Sequence, residues 1–198
     1  MSPAPHDPAD AYLRTIITLA RAVQARDPYA AGRSERVTRL AQRIAAELGL
    51  GDEHNHAIAV GVVCADIGKI GLPDRLLHGR GHLSDRDYAT LRSYPAMSSF
   101  ILAELELPVI VKEMARSHLE RWDGNGGPDH LAGEAIPVFA RILSVADAID
   151  HKIFGGQPLD AALAEVDAEA GTRFCPSVVE AARRCLAADP ALRSYIAA

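Results

Sequence analysis

The stretch VVCADIGKI, Val62 to Ile70, runs from an apolar helix into an aspartate, a glycine and a lysine. Carboxylates are rarely placed at the inner end of an apolar segment without a partner, because taking the charge out of water is costly. Asp66 therefore calls for a cation, either a metal ion or a basic side chain. The residues before it, from about Asp52 to Ala65, read as one helix. That helix is polar at its start and apolar all round towards its end, so its far end is expected inside the protein.

Working outward, helical periodicity dominates. Ala11 to Ala25 places Leu13, Ile16, Ile17, Ala20 and Val23 at helical spacing, and RDPYAAGR breaks the pattern. A helix from about Ser34 carries Val37, Leu40, Ala41, Ile44 and Leu48 on one face, with Gly49 as its stop. The segment IGKIGLPDRLLHGRGHL reads as loop. Ser84 with Asp87 resembles a capping box opening a short helix to Ser93. Pro95 and Pro108 suit the first turns of helices reaching about Leu105 and Leu119. RWDGNGGPDHLAGEAIP, with four glycines and two prolines, reads as an irregular surface loop. Helices are expected from Pro137 through Ile149, from Leu159 to Glu169 and from Ser177 to Ala188, the first two separated by GGQP. The expectation is an all-α domain of eight or nine helices over residues 11–198, after a disordered lead-in at 1–10.

Composition agrees. Apolar residues make up 48% of the 198 and aromatics only 5%, with much alanine and leucine, which favours helices over a sandwich or barrel. A formal net charge of -5 argues against a general nucleic-acid-binding surface. No apolar run approaches the ~20 residues of a membrane span, and the start MSPAPHDPAD has no signal-peptide pattern. Cys64, Cys175 and Cys185 form no CxxC and read as buried, reduced thiols, which fits the cytoplasm. His78 and His82 are expected exposed in their polar loop.

His118, at a helix end, and Asp147, a lone polar residue in RILSVADAID, join Asp66 as donors on three separate helices. Converging helices build metal sites in all-α proteins in this way.

In order along the chain, ARDPYAAGRSERV, ADIGKIGLPD, SYPAMSSFIL, HLERWDGNGGPDHLAGEAIP, RILSVADAID and AGTRFCPSVVEA look like the motifs of HD-GYP domains, a branch of the HD phosphohydrolase superfamily. The resemblance covers nearly the whole chain after residue 11. It implies an all-α fold, a two- or three-metal site of histidines and aspartates, and hydrolysis of cyclic di-GMP by a metal-activated water. It also implies bacterial signalling, with the GYP region associated with contacts to diguanylate cyclase domains.

The departures bear on chemistry. Against the family pattern, Arg33, Tyr94 and Leu119 stand at histidine positions, and Ala65 stands at the histidine of the His-Asp pair. Gly127 stands at the tyrosine of GYP, and the arginine-bearing segment after Asp150 is shortened to HKIFGGQP. Arginine stays protonated and cannot ligate a metal. The resemblance leaves Asp66, His118 and Asp147 as metal ligands if an ion is bound, completed by Glu120, Asp123 or water. The expected cofactor is none, with one divalent ion, iron or manganese, as the alternative. In place of the metal, Arg33 is expected to form a bidentate fork on Asp66 or Asp147, with Lys69 sharing the task. The favoured reading is a non-catalytic signalling or protein-interaction module. Its contact surface would be the loop bearing Trp122, Asp123, Gly126, Gly127 and Pro128. Its partner would be another protein, such as a diguanylate cyclase domain, or a second copy in a homodimer. The alternatives are a residual metal-dependent phosphodiesterase with Lys69 on a phosphate oxygen, and an inactive nucleotide sensor using Arg33 and Lys69 as an anion site.

Overall fold

A computed structural model of the chain describes residues 8–27, 32–78 and 84–197. These residues fold as an all-α domain. The helices are α1 (Pro8–Gln24), α2 (Arg33–Glu47), α3 (Asn55–Cys64), α4 (Asp74–Leu77), α5 (Asp85–Arg92) and α6 (Tyr94–Leu102). They continue with α7 (Val109–Ser117), α8 (Val138–Phe154), α9 (Leu159–Ala168), α10 (Pro176–Ala188) and α11 (Pro190–Ile196). Among the described residues there is no strand, only an isolated bridge between Ala170 and Phe174.

Helix α3 is the hub, because it is apolar on every side. Ile58, Val62 and Ala65 join a large core with α2, α8, α9, α10 and α11. Ala57, Val60, Val63 and Cys64 join a second core with α1, α6 and α7. A methyl group added at Gly61 would stand 2.4 Å from Met114 Sδ, so glycine sets how closely α3 and α7 approach. A segment with no polar face has to be buried between layers, and α3 delivers Asp66 into the interior of the fold.

Several expectations are refined. Helix α1 opens at Pro8, so residues 8–10 are helical rather than lead-in; residues 1–7 lie outside the described residues, as does His82. Asp52–His54 forms a 3-10 turn ahead of α3. The expected loop after Asp66 contains a 3-10 turn (Ile67–Gly71) and α4, too short for periodicity to reveal. Helix α8 runs to Phe154, since Asp150 and Ile153 still find partners in the fold. Helix α11 lies beyond the last expected helix. Its start signal is Asp189-Pro190, where the Asp189 carboxylate accepts from Leu192 N at 2.9 Å. With α4 and α11 the described residues exceed the eight or nine helices expected. The capping box of α5 is complete: Ser84 Oγ accepts from Asp87 N, and Ser84 N donates to Asp87 Oδ2. His78 is exposed, with Nε2 2.7 Å from the Arg26 carbonyl.

Candidate functional site

The start of α2, the ends of α3 and α7 and the middle of α8 meet at Asp66. Its side chain is 2% exposed, at the foot of α3. Arg33, the first residue of α2, donates from Nη1 to Asp66 Oδ2 at 2.7 Å. The same guanidinium donates from Nε to Asp147 Oδ1 at 2.8 Å, and its Nη2 lies 2.5 Å from that oxygen. The arginine thus bridges two carboxylates, one following α3 and one on α8. The expected fork on both oxygens of one carboxylate is not what forms, because Nη1 is drawn to Asp66 while Nε and Nη2 converge on a single oxygen of Asp147. A cation in a helix's first turn opposes the helix dipole; here two carboxylates outweigh that penalty. Lys69 Nζ lies 3.1 Å from Asp66 Oδ2 and 3.1 Å from Asp27 Oδ2.

Three segments of motif interlock around this point. Ser98 Oγ donates to the Ala65 carbonyl at 2.7 Å and accepts from Gly68 N at 2.9 Å, tying α6 to the end of α3. Arg26 donates to the carbonyls of Ile70 and Leu72 and pairs with Asp74 at 2.7 Å, which fixes the turn bearing Lys69. The carbonyl of Met114 can only accept, so His118 Nδ1, 2.9 Å away, carries the proton. Its Nε2 then accepts from the Tyr94 hydroxyl at 2.8 Å. Tyr94 has one proton to give and gives it to His118, so Asp66 Oδ1, 4.0 Å from Nε2, has no hydrogen-bond partner.

The electrostatics follow from burial and pairing. Burial works against charge on Asp66, but Arg33 and then Lys69 outweigh it and hold the carboxyl well below the usual range. Burial works against Arg33 also, yet Asp147 and Asp66 raise its pKa further. Lys69 behaves alike, with Asp66 overcoming its desolvation. Tyr94 is raised by burial and then by the two carboxylates. His118 is lowered, burial prevailing over the pull of Asp66 and Asp147.

These shifts set a pH dependence. A histidine lowered in the folded state stays neutral while the unfolded chain takes up a proton near its ordinary value of about 6.5, so stability falls as pH drops through that value. Asp66, lowered in the folded state, contributes stability above the ordinary aspartate range, and this is lost as pH falls further. Urea midpoints should therefore decline from about pH 7 towards pH 5, then more steeply near pH 4. His118→Gln should flatten the upper limb only; an unchanged upper limb would assign it to other groups.

Arg36, one turn after Arg33, makes a second pair with α8: its Nε donates to Asp150 Oδ1 at 2.6 Å, and Asp150 is 2% exposed. Sequence reading passes over this pair, although the spacing 33/36 against 147/150 is its signal. Glu120, expected to complete a metal shell, is 3% exposed and accepts from Asp129 N at 2.6 Å, while its Oε2 has no partner. Asp123 turns to Arg121 and caps Asn125 N. The loop after His118 is pinned rather than free. Trp122 N donates to the Arg173 carbonyl, Asp123 N to that of Thr172, and Arg116 holds Asp129 through both carboxylate oxygens. Trp122 is partly buried and packs against the main core, so it anchors the loop. Gly126 lies against Glu120 and Arg121, where an added methyl would stand 2.3 Å from Arg121 N, while Gly127 faces open space. Pro128 follows it, partly buried.

Asp66, Asp147 and His118, brought together with Arg33 and Lys69, form a buried polar cluster inside an all-α domain. The family model described as HD domain matches residues 18–178. The chain is 35% identical over 178 residues to the cyclic di-GMP phosphodiesterase response regulator RpfG of Xanthomonas campestris pv. campestris, covering 86% of this chain and 47% of that protein. It is 34% identical to a cyclic di-GMP phosphodiesterase of Thermotoga maritima, over 75% of this chain and 42% of the relative. It is 31% identical to 3'3'-cGAMP-specific phosphodiesterase 3 of Vibrio cholerae, over 89% and 40%. Among solved structures, a cyclic GMP-AMP-specific phosphodiesterase of V. cholerae superposes with a TM-score of 0.72 at 22% identity, over 94% of this chain and 51% of that one. The chain belongs to the HD-GYP branch of the HD domain family. It spans less than half the length of these curated relatives.

Membership corrects the expectation that no cofactor takes part, since phosphodiesterases of this family normally use divalent ions. The residues present, as placed, do not fit the family's two- or three-ion group. Among the described residues no three His, Cys, Asp or Glu side chains are grouped to hold an ion. Arg33 and Lys69 take Asp66 Oδ2 and Asp147 Oδ1, and Tyr94 caps the His118 lone pair. The expected anion site at Arg33 and Lys69 is also corrected: both cations face Asp27, Asp66 and Asp147, so carboxylates outnumber cations there. No helix of the described residues is long and apolar enough to cross a membrane.

Proposed function

We propose that this HD-GYP domain does not hydrolyse cyclic dinucleotides and serves as a signalling or protein-interaction module. The bridge from Arg33 to Asp66 and Asp147 carries the reading. A hydrolytic site needs carboxylates free to hold an activating group and an open position for water. Here the guanidinium neutralises those carboxylates internally, and Ala65 and Leu119 supply no donor. The pinned loop 120–136 offers a rigid surface for a partner, as loops on scaffolds commonly do. A methyl added at Gly127 would meet nothing within 4 Å, so the position opens onto the loop surface.

Relatives act on cyclic di-GMP and 3'3'-cGAMP, so both are the substrates to test. With excess manganese or iron(II), chromatography should show no linear dinucleotide from either. Product that appears with added ion and disappears in Asp66→Asn would overturn the reading and favour a residual phosphodiesterase. Light scattering on the purified chain, and capture of a diguanylate cyclase domain with and without the loop tip, distinguish self-association from a heterologous partner.

A further inference from the structure

Away from the Asp66 cluster, a groove of about 530 Å³ lies between α1, α2 and α3, flanked by α11. Its floor is apolar: Ile17 from α1 and Ala59, Val60 and Val63 from α3. The hydroxyl residues Ser34 and Thr38 stand along the α2 wall. Arg21 and Arg39 stand at the rim. Neither arginine makes an ion pair among the described residues, although most arginines of this domain do. Arg39 instead lies over the Tyr195 ring, 4.0 Å from its centroid. Stacking of this kind holds a guanidinium plane while leaving its N–H edge free to donate. Glu35 also lines the groove, so two arginines face one carboxylate and the local charge is positive in a chain whose net charge is -5.

We propose that this groove binds an amphipathic anion, with an apolar body on the Ile17, Ala59, Val60 and Val63 floor and a single carboxylate or phosphate head between Arg21 and Arg39. An apolar cavity with a few convergent polar groups is the usual form of a small-molecule site. A guanidinium matches a carboxylate or phosphate bidentately. A polar anion such as inorganic phosphate leaves the floor wet, and a neutral alcohol leaves the arginines unanswered, so both halves of the ligand are required.

The groove connects to the Asp66 cluster through the Ser34 and Gln24 side chains. Ser34 follows Arg33 in α2 and donates to Gln24 Oε1, while Gln24 Nε2 donates to the Val63 carbonyl, three residues before Asp66. The site does not depend on whether the domain hydrolyses a phosphodiester.

Titration calorimetry of the chain with decanoate and with octyl phosphate is the test, with decanol and inorganic phosphate as controls. Saturable binding of one or both amphiphiles is expected, with each control at least about tenfold weaker. Preference between the two identifies the head group. Both arginines are exposed, so Arg21→Ala with Arg39→Ala should lower the melting temperature only slightly, through loss of the Arg39–Tyr195 stack, and weaken binding about tenfold or more. Ala59→Phe, which fills the floor, should abolish it. Absence of saturable binding, binding equal to that of decanol, or affinity unchanged in the double arginine variant overturns the proposal.

Discussion

Replacing Arg33 with alanine is expected to cost about 3 kcal/mol of folding stability, the lower end of the range for breaking a buried ion pair. The loss arises at Asp66, 2% exposed, because Asp147 is 28% exposed and can recover water. Lys69 remains 3.1 Å from Asp66 and limits the cost. Removing the charge should reverse most of it: Asp66→Asn in the Arg33→Ala background should be more stable than Arg33→Ala alone. Urea unfolding of the wild type, both single variants and the double variant measures this coupling. Additive effects would show that the two side chains are not paired in solution.

The second large effect is expected at Gly68. A methyl group there would stand 2.1 Å from the Tyr94 carbonyl oxygen, 2.5 Å from Ser98 N and 2.7 Å from Ser98 Oγ. Two of these are backbone atoms of α6, so no rotamer change relieves the clash. Gly68→Ala should therefore cost towards the upper end of about 1–3 kcal/mol for overpacking. It should also break the Ser98 bridge that joins the Ala65 carbonyl to Gly68 N. Gly127→Ala, with nothing within 4 Å, is the control expected to be neutral in the same unfolding experiment. Equal stability of the two variants would remove the close approach of α6 as the reason for glycine at 68.

Much of this architecture is legible in the order of residues. The apolar face of α2, the all-round apolarity of α3 and the Ser84/Asp87 box each state a local rule, and local rules survive into the fold. The motif order places the chain in its family, and the arginine at a histidine position raises the question of what pairs with Asp66. Less legible are features whose cause lies between elements. The Arg36–Asp150 pair joins residues 114 apart in sequence. Trp122 reads as a surface aromatic in a glycine-rich loop, but the main chain of residues 172–173 pulls that loop onto the core. Helix α11 is short, and its start depends on a single Asp-Pro step.

The residues alone dictate that Asp66 ends a buried helix and must be compensated, because desolvating a carboxylate has a cost that no arrangement of neighbours removes. They also dictate which side chains are available: a guanidinium at 33, an ammonium at 69, and no imidazole at 65 or 119. The partnership itself is settled by packing in three dimensions. Long-range contact of α2 with α3 and α8 sets Arg33 between two carboxylates, and Tyr94 on α6 takes the His118 lone pair. Those distances depend on how helices far apart in sequence cross, which periodicity and motif spacing do not encode.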